Sequence, residues 1–124
     1  MTPELAHWTI VAGRVLMGGF YLHAGVEHFR TLDQLTKLIA SRNVPAPRLV
    51  LLAGSLLQAV AGLLLMVGQF QTLAALGLAI FTVAASVMLL NFWNKNGDER
   101  RTAVSHWQSN LALIGGLLTL AAVP

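Results

Sequence analysis

The sequence has no cysteine, and this absence removes several kinds of chemistry at once. Without a thiol the chain forms no disulfide, offers no thiolate nucleophile and cannot hold a cysteine-ligated cluster. The N-terminal stretch MTPELAHWTI also lacks basic residues ahead of its apolar run. We therefore expect no cleaved signal peptide.

Charged residues are equally scarce. They make up 10% of the chain, against about 25% in a typical soluble domain, and none lies between Leu49 and Asn94. Hydrophobic residues make up 56%, and runs of about 20 apolar residues are typical of membrane-spanning helices. The sequence thus predicts an integral protein of the lipid bilayer. It does not indicate a nucleic-acid partner, because the basic residues lie mainly in loops.

Four apolar segments are each long enough to cross about 30 Å of hydrocarbon as a helix. Their runs are continuously apolar and lack the alternation of a membrane β-strand. The segments lie at about residues 5–29, 49–67, 73–93 and 106–123. Because the chain has the size of one compact unit, we predict a single membrane domain, residues 1–124, of the all-α class.

The segment between the first two spans, RTLDQLTKLIASRNVPAP, has a helical pattern of its own. Its apolar residues recur at helical spacing on one side: Leu32, Leu35, Leu38 and Ile39. This pattern is typical of a short amphipathic helix at the membrane surface, which Pro45 and Pro47 would end. The predicted fold is therefore a four-transmembrane-helix bundle with a short interfacial amphipathic helix between helices 1 and 2.

Basic residues outside the spans fall in two loops, which four spans place on the same side of the membrane. They are Arg30, Lys37, Arg42, Arg48, Lys95, Arg100 and Arg101. By the positive-inside rule, both loops face the cytoplasm, and both termini lie on the outer side of the cell (inner) membrane. Small residues on the helix faces favour helix association, so a homo-oligomer is one expected assembly.

Arg14 is the basic residue within a span, at a depth of about 13 Å. A buried charge is costly in hydrocarbon and marks a functional hypothesis. Gln58 in the second span lies at a similar depth and is the best candidate partner. Two interpretations stay open: a structural arginine bonded to carbonyl groups and Gln58, or an arginine that binds a ligand.

A second set of polar residues converges toward the cytoplasmic ends of three spans: His23, Glu27, His28, Asn91, Trp93, His106 and Asn110. His23 and Glu27 are four residues apart and share a helical face. An imidazole and a carboxylate there can ligate a metal, relay a proton or hydrogen-bond a quinone headgroup. The alternative is a hydrogen-bonded cluster where the bundle meets water, because polar groups cost less near the interface.

Haem and metal are the less favoured ligands. A b-type haem needs two histidines that face each other from different helices, such as His23 or His28 with His106. The sequence has no strict metal-ligand motif, so we predict no metal site. The candidate ligand-binding residues are Arg14, His23, Glu27, His28, Gln58, Asn91, Trp93, His106 and Asn110. No catalytic residue is assigned.

Taken in order, five stretches resemble the DoxX family of small four-helix membrane proteins: GRVLMGGFYLHAGVEHF, NVPAP, GLLLMVG, LLNFWN and NLALIGGLL. Arg14 matches the family's first-helix arginine, Gly25 the glycine after it, and Pro45 the proline after the interfacial helix. Phe92-Trp93 and Asn110-Leu111 match the end of helix three and the start of helix four. The likeness covers nearly the whole chain.

The chain departs from the family's pattern at three positions. His28 stands where many members have lysine, Gln58 where many have glutamate, and Asn91 where many have histidine. The glutamine at 58 removes the natural anionic partner of Arg14. His28 keeps a basic group at its position, which suits an anion or a headgroup.

The resemblance implies a role around membrane oxidoreduction, since the family takes its name from a subunit linked to a quinone-reducing thiosulfate oxidation system. The expected function is an integral subunit or accessory protein of a quinone-linked redox system. A membrane redox enzyme is the expected partner, and quinone the candidate ligand. The alternatives are a structural or assembly protein without chemistry of its own, and a small proton or solute path. Whether the chain is itself an enzyme stays open.

Overall fold

In the computed structural model, which describes residues 1–123, the chain is all-helical, and no strand forms within that range. The elements in chain order are α1 (Pro3–Arg30), α2 (Leu32–Ala40), α3 (Pro47–Val67), α4 (Gln71–Leu89), a 3-10 helix (Phe92–Asn94) and α5 (Gly97–Ala121). The prediction of an all-α fold is confirmed.

Three of the described segments are long and apolar enough to cross a membrane: α1, α3 and Gln71–Asn94, which contains α4. α5 has the length for a span, with 25 residues, but is not among them. His106, Gln108 and Asn110 make its first half too polar, and Asp98 and Glu99 occupy its first turn. The described residues therefore contain three candidate spans, one fewer than the sequence analysis predicts.

α1 is longer than a membrane span requires. It begins at Pro3, where the Thr2 hydroxyl caps the helix by accepting a hydrogen bond from the Leu5 amide at 3.1 Å. Its 28 residues rise about 42 Å, whereas the 21 residues of α3 rise about 32 Å. Of these two helices, α3 has a length close to the thickness of the hydrocarbon, and α1 exceeds it. One end of α1 therefore projects beyond α3.

Glycines let α1 and α3 pack backbone to backbone. A Cβ at Gly62 would lie 2.6 Å from the carbonyl oxygen of Gly18, and one at Gly25 would lie 2.7 Å from that of Ser55. The two helices are therefore antiparallel, with Gly18 level with Gly62 and Gly25 level with Ser55. By this register Arg14 lies level with the C-terminal end of α3, and residues 3–12 project past it.

α4 and α5 form a second antiparallel pair that is hydrogen-bonded at both ends. The side chains of Gln71 and Thr72 donate to the carbonyl oxygens of Leu120 and Ala121, at 2.9 and 2.8 Å. At the opposite end, the Trp107 indole N–H donates to the carbonyl oxygen of Leu90 at 2.6 Å. α5 therefore accompanies α4 along its whole length.

The core lies where the two helix pairs meet. Leu65 of α3, Leu78 of α4 and Leu117 of α5 are fully buried, and Tyr21 of α1 packs with them. Ala75 is also fully buried, and its small side chain keeps α4 close to its neighbours. This core fixes the pairs relative to each other at one level of the bundle.

A helix forms between the first two spans, as the sequence predicts: α2, Leu32–Ala40. Its Leu35 and Ile39 face the bundle, whereas Leu38 is 38% exposed. The connection to α3 includes Ala46, whose φ of 47° is unusual for a residue with a side chain. Pro47 follows it at the first turn of α3 and leaves no amide hydrogen unpaired there.

Two helix ends differ from the sequence prediction. The third span is predicted at residues 73–93, whereas α4 ends at Leu89 and a separate 3-10 helix follows. The fourth span is predicted from residue 106, whereas α5 begins at Gly97. Asp98 and Glu99 favour this early start because carboxylates complement the positive end of the helix dipole.

Candidate functional site

A cavity of about 460 Å³ lies between the α1–α3 and α4–α5 pairs, with α2 contributing to its wall. We call it the central cavity. Most of its lining is apolar and includes Phe20, Leu35, Phe81 and Met88. The polar residues that line it are Tyr21, His28, Ser55, Gln58, Thr82 and Asn110. Its size and its few polar groups are typical of a site for a small organic molecule.

Tyr21 and Thr82 connect α1 to α4 across the cavity. Their hydroxyl oxygens are 2.6 Å apart, and the Thr82 hydroxyl donates to the carbonyl oxygen of Leu78 at 2.8 Å. Because Thr82 has a single hydroxyl hydrogen, Tyr21 is the donor in the bond between them. The Tyr21 oxygen is thereby left as an acceptor.

Ser86 and Asn110 connect α4 to α5 one turn further along. The Ser86 hydroxyl donates to the carbonyl oxygen of Thr82 at 2.6 Å and accepts from the Asn110 amide at 2.8 Å. The first bond orients the Ser86 hydroxyl, and the second holds the Asn110 side chain at the cavity wall. Thr82 and Ser86, four residues apart on one face of α4, thus bond the cavity-lining side chains of Tyr21 and Asn110.

His28 and Ser55 connect α1 to α3. The Nδ1 atom of His28 lies 3.2 Å from the Ser55 hydroxyl oxygen, and the histidine ring is half-buried. Ser55 is almost fully buried, at 1% exposure. Since Nδ1 is engaged by Ser55, Nε2 is the ring nitrogen that can bind a ligand.

Gln58 brings a buried acceptor oxygen to the wall of the cavity. Its side chain is buried, and within residues 1–123 its amide oxygen has no hydrogen-bond partner. A buried acceptor left unpaired costs about 1–3 kcal/mol, and such groups are rare in folded proteins. Gln58 is therefore the strongest sign that a ligand completes the site.

Three of the predicted ligand-binding residues come together in the central cavity: His28, Gln58 and Asn110. They come from α1, α3 and α5, whereas the sequence analysis expects polar residues of the first, third and fourth spans to converge. The set of residues also differs from the prediction, since Gln58 takes part and six other candidates do not line the cavity. Those six are Arg14, His23, Glu27, Asn91, Trp93 and His106.

Arg14 does not pair with Gln58, the partner that the sequence analysis favours. A Cβ at Gly68 would lie 2.8 Å from Cζ of Arg14, so the guanidinium lies against the C-terminal turn of α3. Gly68 is ten residues after Gln58, which places it about 15 Å further along the axis of α3. A cation at this end of a helix is favourable because the helix dipole is negative there.

His23 and Glu27 lie on the outer side of α1, away from the cavity. His23 is exposed, and Glu27 is half-buried and forms an ion pair with Arg30 at 3.3 Å. Gly25, between them, is level with Ser55, so this region lies beside the middle of α3 rather than beside its end. The predicted depths are thus reversed: Arg14 lies near a helix end, and His23 lies near mid-height.

The other three candidates lie beyond the end of α4. Asn91 is half-buried, and within residues 1–123 its side-chain oxygen has no partner. Trp93 is 54% exposed in the 3-10 helix, and His106 is exposed on α5. Trp107, next to His106, makes the structural bond to Leu90 instead. These residues form the end of the bundle and not the cavity wall.

Tyr21, Ser55, Thr82 and Ser86 belong to the site and are missed by the sequence analysis. Thr82 and Ser86 give the clearest signal, because two hydroxyls four residues apart share one face of an apolar helix. Serine and threonine often bond the carbonyl four residues earlier in a helix, so the pattern alone does not identify a site.

Comparison with known proteins identifies one protein family. The sequence model of the DoxX family matches residues 9–91, which is more than half of the chain. No curated protein and no solved structure gives a significant match. Within residues 1–123, no group of three His, Cys, Asp or Glu side chains is arranged to hold a metal ion.

Proposed function

The chain belongs to the DoxX family, and we propose that it is an integral subunit or accessory protein of a quinone-linked redox system in the cell (inner) membrane. The observation that carries the proposal is the unpartnered amide oxygen of Gln58, a residue of the mostly apolar central cavity. The proposed partner is a membrane redox enzyme, which would perform the electron transfer.

The chemistry of a quinone headgroup suits the lining of the cavity. The ring needs apolar walls, which Phe20, Phe81 and Met88 supply. Its oxygens accept hydrogen bonds as a quinone and donate them as a quinol. A carboxamide has both an N–H donor and an acceptor oxygen, so Gln58 can serve either redox state. The Tyr21 oxygen can accept from a quinol hydroxyl, because its own hydrogen is given to Thr82.

The proposed architecture keeps four transmembrane helices, with α2 lying at the membrane surface. α5 is the helix that composition does not identify as a span. Its hydrogen bonds to Gln71 and to Leu90, at the two ends of α4, support a membrane crossing. If α4 crosses the membrane, a helix bonded to both of its ends crosses with it. The polar first half of α5 fits this position, because Asn110 bonds to Ser86 inside the bundle.

The same arrangement supports the proposed orientation in the membrane. Arg30, Lys37, Arg42 and Arg48 lie at the end of the bundle that also carries Lys95, Arg100 and Arg101. The positive-inside rule places this end in the cytoplasm and both termini on the outer side. The central cavity then lies toward the cytoplasmic half, since its lining extends to Leu35 and Ile39 of α2.

Native mass spectrometry of the protein purified in mild detergent tests the proposal, with the retained small molecules identified. We expect a quinone in stoichiometric amount when the membranes used are rich in quinone. A protein that retains only phospholipid would favour the alternative of a structural or assembly protein. In that alternative the Tyr21–Thr82 and Asn110–Ser86 bonds serve only to hold the bundle.

A further inference from the structure

The side of α1 that faces away from the bundle carries ionisable groups in an apolar surface. We call it the α1 outer face, formed by Gly19, His23, Glu27 and Arg30. We propose that the α1 outer face is the interface between two copies of this chain in the membrane. The proposal depends on α1 crossing the membrane and is independent of whether the cavity binds a quinone.

The helix geometry points these residues away from the bundle. Tyr21 and Gly25 are buried against α4 and α3, which defines the inner side of α1. At about 100° per residue, His23 lies about half a turn from both of them. Its exposure agrees with this position, and Arg30, seven residues on, is also exposed.

The register places His23 and Glu27 of this face within the hydrocarbon, whereas Arg30 lies at the end of α1. Gly25 is level with Ser55, eight residues into α3, so Glu27, two residues further along the antiparallel α1, lies about 9 Å from the start of α3. His23 lies deeper, near the middle of α3. Leu16, Phe20 and Val26 around it are exposed and apolar, as a lipid-facing surface requires. Ionisable residues in spans almost always face protein or water, so a polar group here is expected to be covered.

A second copy fits the face because its charges are self-complementary. Glu27 carries a negative charge and Arg30 a positive one on adjacent turns, 3.3 Å apart. Two copies in one membrane, related by a two-fold axis along its normal, bring equal depths of their α1 helices together. Glu27 of each copy then meets Arg30 of the other, and the two His23 rings meet near the axis.

Gly19 allows the two helices to approach closely. A Cβ at Gly19 would have no neighbour within 4 Å, so no part of the same chain fills the space beside it. A glycine one turn from polar groups is typical of helix pairs in membranes, where close packing and interhelical hydrogen bonds drive association. The α1 outer face therefore offers both a site of close approach and polar groups that can bond to the other helix.

Disulfide cross-linking tests the interface directly, since the natural chain has no cysteine. The His23→Cys protein is reconstituted in phospholipid vesicles at low protein density and treated with a mild oxidant. We expect a covalent dimer as the main product. The control is Val83→Cys, which is exposed at the same height on α4, because Thr82 is level with Tyr21. Equal dimer yields from the two variants, or none from His23→Cys, would overturn the proposal.

Charge reversal gives a second test that leaves His23 in place. Glu27→Arg should weaken the dimer about 3- to 20-fold in dissociation constant, the range of one polar contact between membrane helices. The double variant Glu27→Arg, Arg30→Glu should restore it, which also shows that the single variant fails by charge and not by misfolding. Asp98→Arg breaks a comparable exposed pair with Arg101 on α5 and should have no effect. A dimer that survives Glu27→Arg unchanged would contradict the proposed contact.

Discussion

Gly18 and Gly62 face each other across the contact between α1 and α3, and a side chain on either would collide with the backbone of the other helix. A Cβ at Gly62 would lie 2.6 Å from the Gly18 carbonyl oxygen and 2.8 Å from the Leu22 amide nitrogen. This contact fixes the register of the two helices. It thereby places His28 beside Ser55 and brings Gln58 to the cavity.

Gly62→Ala should therefore destabilise the fold by about 1–3 kcal/mol, the range for an overpacked contact. The control is Gly77→Ala, because a Cβ at Gly77 would have no neighbour within 4 Å. That change should be neutral or slightly stabilising through helix propensity. Thermal unfolding of the three proteins in one detergent measures the difference. Equal melting temperatures for the two variants would show that the helices do not pack through these glycines.

Tyr21→Phe should lower the stability by about 1 kcal/mol, because it removes the bond to the Thr82 hydroxyl while keeping the ring. Thr82→Val should have a similar effect. If the bond is formed, the double variant loses less than the sum of the two single variants, and a double-mutant cycle measures this difference. Strict additivity would mean that the hydroxyls act independently.

Arg14 and Gln58 should be energetically independent, despite the charge pair that the family pattern suggests. Arg14 contacts Gly68, and Gln58→Glu would place a carboxylate in the cavity without a cation beside it. We expect Gln58→Glu to lower the stability. The loss in the double variant with Arg14→Gln should equal the sum of the two single losses to within about 0.5 kcal/mol. Strong coupling between the two positions, seen as a compensated double variant, would contradict the observed placement of Arg14.

Single cysteines test the four-span arrangement against a background without cysteine. We expect an impermeant maleimide to label Gln69→Cys and Ala122→Cys from the outer side, and Asn96→Cys from the cytoplasmic side. Gln69 follows α3, Asn96 precedes α5, and Ala122 follows α5. Labelling of Ala122→Cys from the same side as Asn96→Cys would mean that α5 does not cross.

The sequence predicts the helices well because their signals are local. Apolar runs and proline positions predict both ends of α1 and α3 to within about two residues. The start of α5 is predicted nine residues too late, because the polar residues before His106 are typical of a loop. Asp98 and Glu99 instead belong to a helical first turn, where carboxylates are favourable.

The site is harder to predict because it depends on the register between helices. Arg14 is expected near mid-membrane from its distance to the start of α1, but α1 projects past α3 by about ten residues. That shift moves Arg14 to a helix end and His23 toward the middle. The sequence names His28, Gln58 and Asn110 by their polarity alone, whereas Tyr21 and Thr82 need the packing to be recognised.

The central claim is that Gln58 helps to bind a quinone, and a titration of the detergent-purified protein with a short-chain quinone tests it most directly. Gln58→Leu removes the unpartnered amide, and Gln69→Leu is the control because that glutamine is exposed outside the cavity. We predict saturable binding to the natural protein and to Gln69→Leu. The dissociation constant of Gln58→Leu should be at least about tenfold higher. Gln58→Leu should also fold at least as stably, since it removes an unpaired buried acceptor. Equal affinity in all three proteins, or no saturable binding in any, would contradict the account.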